Sequence, residues 1–312
     1  MAQGAPALVD QLRPLDRRLL GLVADGDDPA VLSFEVVPHL CRTDGRFYGG
    51  AALAAALAAS EAVTGRVALW SCTQLVGAAA MNERIRVDAS VVASGRSVDQ
   101  VQVTATTGGR IVFSAVGATA TPQPDGIEAR GQTMPRVAPP EESRPWGGPA
   151  RRDDAGEHAA VFGTPPAVGH HLVSEHREAH IMDTSADRPG HMALWARLTG
   201  EFAGTTMTPA VLGFLADMVP IAVCRAGGVE GAGTSLDNSL RVGEPIDTDW
   251  VLLELDAEQA VGGYGHGHVR LWSRDGRLLG TGTQSCRLFS FEDFLHGAGG
   301  HSSGSPRAGG TR

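Results

Sequence analysis

GGAALAAALAASEAVTG, residues 49–65, reads as a helix without a polar face. Alanine is the best helix former, and Gly65 supplies a natural helix end. A helix apolar almost all round is one that the rest of the chain encloses. The flanking sequence supplies an enclosure. VLSFEVVP (31–38) precedes it as a strand. RVALWSCTQL (66–75), RIRVDASVVASG (84–95), SVDQVQVTATTG (97–108) and GRIVFSAVGATA (109–120) follow it, with alternation at Val98, Val101 and Val103 and around Ile111 and Phe113. ASGRS and TTGGR mark turns between them.

The same order recurs downstream. HMALWARLTG (191–200) alternates as a strand, and Thr208-Pro209 opens a second helix with threonine as N-cap and proline at the first helical position. GTSLDNSLRV (233–242), WVLLELDAEQ (250–259), GHGHVRLWSRDG (265–276) and RLLGTGTQSCRLF (277–289) then read as strands. Two copies of strand, apolar helix and antiparallel strands predict an α+β double hotdog: two antiparallel sheets, each wrapped around a long central helix and joined edge to edge. The expected boundaries are an N-terminal helical segment over 1–28, a first hotdog over 29–120, a linker over 121–160, a second hotdog over 161–290 and a disordered tail over 291–312. The N-terminal leucines (Leu12, Leu15, Leu19, Leu20, Leu22) suit a short amphipathic helix interrupted by Pro14. The linker is rich in Pro, Gly and charge, and the tail in Gly and Ser.

Bulk properties exclude several function classes. A formal net charge of −9 disfavours nucleic acid as a partner. All 26 basic residues are arginine, which with abundant Ala, Gly and Val fits a GC-rich genome more than a specialised surface. Cys41, Cys72, Cys224 and Cys286 are far apart, so neither a zinc site nor a disulfide framework is indicated. Buried free thiols and a reducing cytoplasm are expected. No signal-peptide pattern opens the chain, and no run of about 18 apolar residues predicts a membrane span.

Asp217 stands out within LGFLADMVPIAV (212–223). An unpaired buried carboxylate costs several kcal/mol, so either something pairs with it or its raised basicity is used. Helical spacing aligns it with Phe214 and Ile221, towards the sheet, and Pro220 could bend the helix and open room for a ligand. A buried aspartate that only bonds a strand or caps a second helical segment explains the pattern equally well. GTSLDNSLRV is an unusually polar strand, in which alternation places Ser235, Asp237 and Ser239 on one face. Gln284 interrupts an otherwise small and apolar strand.

In this order the residues resemble the acyl-CoA thioesterase II family. The likeness covers roughly 30–120 and 165–290. It rests on RFYGGAALAAALAASEAV, HMALWARL, LGFLADMVPIAV, TSLDNSLRV, DWVLLEL and RDGRLLGTGTQSCRL. The resemblance implies an Asp, a hydroxyl and a Gln that jointly hold one water against a thioester carbonyl, here Asp217, Ser235 and Gln284. It implies an acyl-CoA substrate, hydrolysis to free acid and CoA, and no cofactor or metal. Ser235 stands where the family usually has Thr, Asn238 where it often has His, and Ser285 where it tends to have Glu. VGAAAM (76–81) replaces a typical Arg-Pro-Gly. The oxyanion would suit backbone N–H groups at Gly49 and Gly50, although two glycines there equally serve close packing. The alanine-lined helix leaves expected space for an acyl chain.

Other chemistry finds less support. HHLVSEHREAH (170–180) holds four histidines but no carboxylate at ligand spacing, and reads as an exposed strand. GYGHGHVRLW opens no helix and so is no phosphate loop. There is no nucleophile elbow. A non-catalytic acyl-CoA binder is the rival from another class. An enoyl-CoA hydratase ranks lower, because neither helix opens with an Asp/His pair. Pairing of hotdog sheets suggests a homo-oligomer.

Overall fold

The computed structural model describes residues 7–26, 28–146, 167–182, 188–244 and 246–290. The predicted tail and the stretch 147–160 of the predicted linker lie outside these residues.

In chain order the elements are α1 (Pro14–Leu20), β1 (Val23–Asp25), β2 (Asp28–Glu35), α2 (Gly49–Thr64), β3 (Val67–Leu75), β4 (Arg84–Ser94), β5 (Val98–Thr107) and β6 (Arg110–Ala120). They continue with β7 (Arg144–Pro145), β8 (Ser174–Ala179), β9 (Met192–Leu198), α3 (Pro209–Leu215), α4 (Val219–Ala226), β10 (Gly231–Val242), β11 (Val251–Val261), β12 (Tyr264–Ser273) and β13 (Leu278–Ser290). All strands join one sheet in the order β1-β2-β4-β5-β6-β3-β10-β13-β12-β11-β9-β8-β7. The seam between the halves is the antiparallel pair β3 and β10, with Cys72 opposite Ser239 and Gln74 opposite Asp237. This is the double hotdog, with its two sheets fused at one edge.

Helix α2 closes at Gly65, whose φ of 66° is open to glycine and whose N–H bonds the Glu61 carbonyl. Its residues 51–59 are at most 2% exposed. Alanine side chains let α3 approach closely: a Cβ on Gly213 would stand 2.9 Å from Leu57 Cδ1 and 3.1 Å from Leu53 Cγ. Leu8, Leu12, Leu19, Leu20 and Leu22 join the same core, so the N-terminal segment is a lid over α2, and Pro14 opens α1 rather than interrupting it. Glu61 of α2 anchors it by accepting from Arg13 Nε at 2.7 Å.

The second helix is not one long helix but follows the alternative of a second helical segment beginning near Pro220. Instead of bending at Pro220 it breaks: α3 ends at Leu215 and α4 begins at Val219. Proline lacks an N–H and its ring would clash with the carbonyl four residues earlier, at Ala216. Thr208 caps α3 by accepting from the Val211 N–H at 3.1 Å. Asp217 therefore lies in the turn between two short helices, not on a helical face with Phe214 and Ile221. Against the expectation of no such run, the stretch Pro209–Ala226 is long and apolar enough to cross a membrane by length and composition; 78% of it is buried in this core.

Part of the predicted linker is structural. Val137 bridges Ile181, the Ala138 N–H bonds the His180 carbonyl, and β7 pairs with β8. Met134 and Val137 pack on Trp195, Trp250, Leu252 and Trp272 on the outer sheet face, and the Trp195 indole donates to the Ala138 carbonyl at 2.8 Å. The histidine-rich stretch is a strand, β8, but not an exposed one, because His176 faces inward and is buried. Three cysteines are buried free thiols and Cys72 is exposed.

Candidate active site

The break between α3 and α4 sets Asp217 against the first turn of α2. Its Oδ2 accepts the Gly50 N–H at 2.7 Å. Its Oδ1 accepts from Gln284 Nε2 on β13 and, at 3.2 Å, from the Ser235 hydroxyl on β10. Gln284 Nε2 also donates to Ser235 Oγ at 2.6 Å. Three elements from both repeats thus converge on one carboxylate. Asp217 is 9% exposed and Gln284 2%.

Ser235 reaches this place through an irregularity that alternation does not reveal. β10 carries a bulge between Ser235 and Asp237: Ser235 pairs with Cys286, Asp237 with Ser285 and Asn238 with Gln284. The extra residue, Leu236, shifts the pleat by one. Ser235 consequently shares a face with Asn238 and Gln284, not with Asp237 and Ser239 as strict alternation predicts. Asp237 is turned to the other side and accepts the Ser285 N–H at 3.1 Å.

The two glycines combine close packing with one donor to the carboxylate. The Gly50 N–H is directed at Asp217, so its donor goes to the carboxylate rather than to a substrate oxygen. Gly49 gives clearance: a Cβ there would stand 2.7 Å from Asp217 Oδ2 and 3.1 Å from Leu75 Cδ1. A Cβ on Gly50 would meet the Tyr48 ring at 2.5 Å and the Phe214 carbonyl oxygen at 2.6 Å.

Tyr48 is a member of the site that sequence reasoning missed. Its hydroxyl donates to the Asp217 backbone carbonyl at 3.4 Å. Its ring stacks on His170 at 4.7 Å and meets Phe214 edge-on at 5.5 Å. The available signal was an aromatic directly before the glycine pair. Burial holds His170 down at about 3 and His176 at about 4, so both are neutral supports near pH 7. At the rim, Arg42 donates to Thr234 Oγ1 at 3.1 Å and pairs with Asp44 at 2.9 Å.

Burial raises the Asp217 carboxyl above the ordinary carboxylate range. The hydrogen bonds from Gly50, Gln284 and Ser235, and the charge of Arg42, act the other way. The carboxylate is therefore tolerated in the core because three donors meet it, while desolvation keeps it more basic than a surface aspartate.

His191, Glu254 and Asp256 form a second cluster, with ligand atoms within 4.8 Å of one another. Those carboxylates are already engaged. Glu254 accepts from the Trp272 indole at 3.0 Å, and Asp256 pairs with Arg188 and with Arg270 at 3.2 Å. Two guanidinium groups on one carboxylate replace the charge a cation would bring, and the donor set does not fit a metal centre.

A family model for the acyl-CoA thioesterase N-terminal domain matches residues 38–122, and one for the acyl-CoA thioesterase C-terminal domain matches residues 138–288. Among solved structures, a candidate thioesterase from Novosphingobium aromaticivorans is 29% identical, with a TM-score of 0.70 over 86% of this chain and 98% of that one. A protein with a hot dog fold from Alicyclobacillus acidocaldarius is 18% identical, with a TM-score of 0.70 over 89% of this chain and 99% of that one. The acyl-CoA thioesterase II of Mycobacterium marinum is 16% identical, with a TM-score of 0.65 over 88% of this chain and 98% of that one. No curated protein matches the chain.

Proposed function

The chain belongs to the acyl-CoA thioesterase II family, and from that membership we propose that it hydrolyses acyl-CoA to a free acid and CoA with Asp217 as general base. The observation that carries this reading is the convergence of Gly50, Ser235 and Gln284 on the buried Asp217 carboxylate.

Oδ1 accepts two hydrogen bonds and Oδ2 one, which leaves Oδ2 an acceptor position for a water. That water attacks the thioester carbonyl carbon as Asp217 takes its proton. The tetrahedral intermediate then collapses, the C–S bond breaks, and the proton passes to the departing CoA sulfur. A carboxylate made more basic by desolvation suits this task, and a positioned base of this kind contributes about 10²–10⁴-fold in rate. Ser235 and Gln284 fix the carboxylate's rotation and shield it from the apolar core. The Gly49 N–H, at the α2 start, would supply the donor for the developing oxyanion.

The test is release of free thiol from a panel of acyl-CoAs, with mass analysis of the acid for one oxygen from solvent. Thiol release with solvent oxygen in the product supports the reading. Saturable binding without thiol release, or loss of enoyl absorbance without it, overturns it.

A further inference from the structure

The sequence suggests that an alanine-lined helix leaves room for an acyl chain beside it. The packing says otherwise. Residues 51–59 of α2 are at most 2% exposed, so they border neither solvent nor a water-sized void. α3 fills the side where Gly213 meets Leu53 and Leu57. The N-terminal lid fills another, with Leu12, Leu19 and Leu20 in the same core. Arg13 clamps that lid to Glu61, whose carboxylate also takes the Ala68 N–H at 2.9 Å. The other helical pair offers no passage either. Val211, Leu212, Phe214, Leu215, Val219 and Val223 are each at most 1% exposed. Next to Asp217, Tyr48 donates to its backbone carbonyl at 3.4 Å and meets Phe214 edge-on, and Leu75 Cδ1 stands 3.1 Å from where a Cβ on Gly49 would lie.

We propose that the acyl group accepted at this site is short, ending against Leu75 and the Tyr48–Phe214 wall instead of running along either central helix. This rests on the hydrolase reading for the identity of the ligand but not for the size limit. The limit follows from filled space: each added methylene would have to displace packed side chains or stay in water. A true channel would reward each one, by about fourfold in affinity for every buried CH₂.

The experiment uses the full chain and non-hydrolysable S-ethyl-, S-butyl-, S-hexyl- and S-octyl-CoA thioethers, with affinities from calorimetry, beside thiol release from the matching acyl-CoAs. The expected result is no gain in affinity from S-butyl to S-octyl and a falling kcat/KM over the same lengths. Affinity that climbs steadily with chain length overturns the size limit, whether or not thiol is released. Thiol release from none of the thioesters overturns the hydrolase reading, while the thioether series still decides the size limit. Binding at no length overturns both.

Discussion

Gly49→Ala adds one methyl group to the most crowded point of the site. The new Cβ would lie 2.7 Å from Asp217 Oδ2, about 0.6 Å inside the closest ordinary C···O approach of about 3.3 Å. A free surface carboxylate would swing away at little cost. This one is held by Gly50, Gln284 and Ser235 together, and Leu75 Cδ1 stands at 3.1 Å from the same methyl group. Relief therefore lengthens the 2.7 Å bond from Gly50 to about 3.3 Å, outside the useful range. Overpacking of this kind costs about 1–3 kcal/mol. Displacing a reacting group on this scale lowers kcat by up to about 100-fold. The assay is steady-state thiol release with a denaturation curve on the same sample. The expected variant is folded, modestly less stable and much slower, with KM little changed. A variant with the parent's kcat would refute the reasoning, because the carboxylate would then have room that the geometry denies it.

Ser235→Ala removes both a donor to Asp217 and the acceptor of the Gln284 amide. A loss of about 1–2 kcal/mol corresponds to about a five- to thirtyfold fall in kcat, whereas Ser235→Thr, which keeps the hydroxyl, should stay close to the parent in the same assay. Asp16, on the buried face of the lid with Thr208 Oγ1 donating to it at 2.5 Å, has its carboxyl pushed up by burial to about 7. Between the unfolded value near 4 and about 7, the folded state holds a proton that the unfolded state lacks. Stability therefore falls as pH rises, by about 1.4 kcal/mol per unit, and levels off above. Urea titrations across this range should show that slope in the parent and not in Asp16→Asn; equal slopes would contradict it. Trp195→Phe strips the Ala138 carbonyl of its donor, at a cost of about 1 kcal/mol. Faster amide exchange at Ala138 and Met182, with little change at α2, would show that the indole pins residues 134–146 to the sheet; unchanged exchange would count against it.

Much of this was legible in the sequence for definite reasons. Helix α2 declares itself because alanine, few β-branched residues and a closing Gly65 all point the same way. Asp217 is visible because it is polar among apolar neighbours, and Gln284 because it is a large amide in a strand of mostly small residues. Three features were not legible. The bulge at Leu236 moves Ser235 to the opposite face, and no residue type marks an extra residue in a strand whose pleat otherwise alternates. Pro220 signalled a disturbance, but whether a helix bends or breaks depends on what Asp217 and Met218 can bond to. Residues 134–146 carry linker composition, and only the distant Trp195, Trp250 and Trp272 show that they have something to cover. The helix-side cavity failed as an expectation because leucines of the N-terminal segment and the close approach of α3 at Gly213 fill it, which are long-range packing facts.

The most direct test of the central claim is thiol release from butyryl-CoA by Asp217→Asn. An asparagine keeps the size of the side chain but turns one accepting oxygen into a donor, so it opposes either Gly50 or Gln284 and cannot take a proton from water. The account predicts a folded protein whose kcat is lower by about 10²–10⁴-fold. A folded variant that hydrolyses butyryl-CoA at the parent's rate would contradict it.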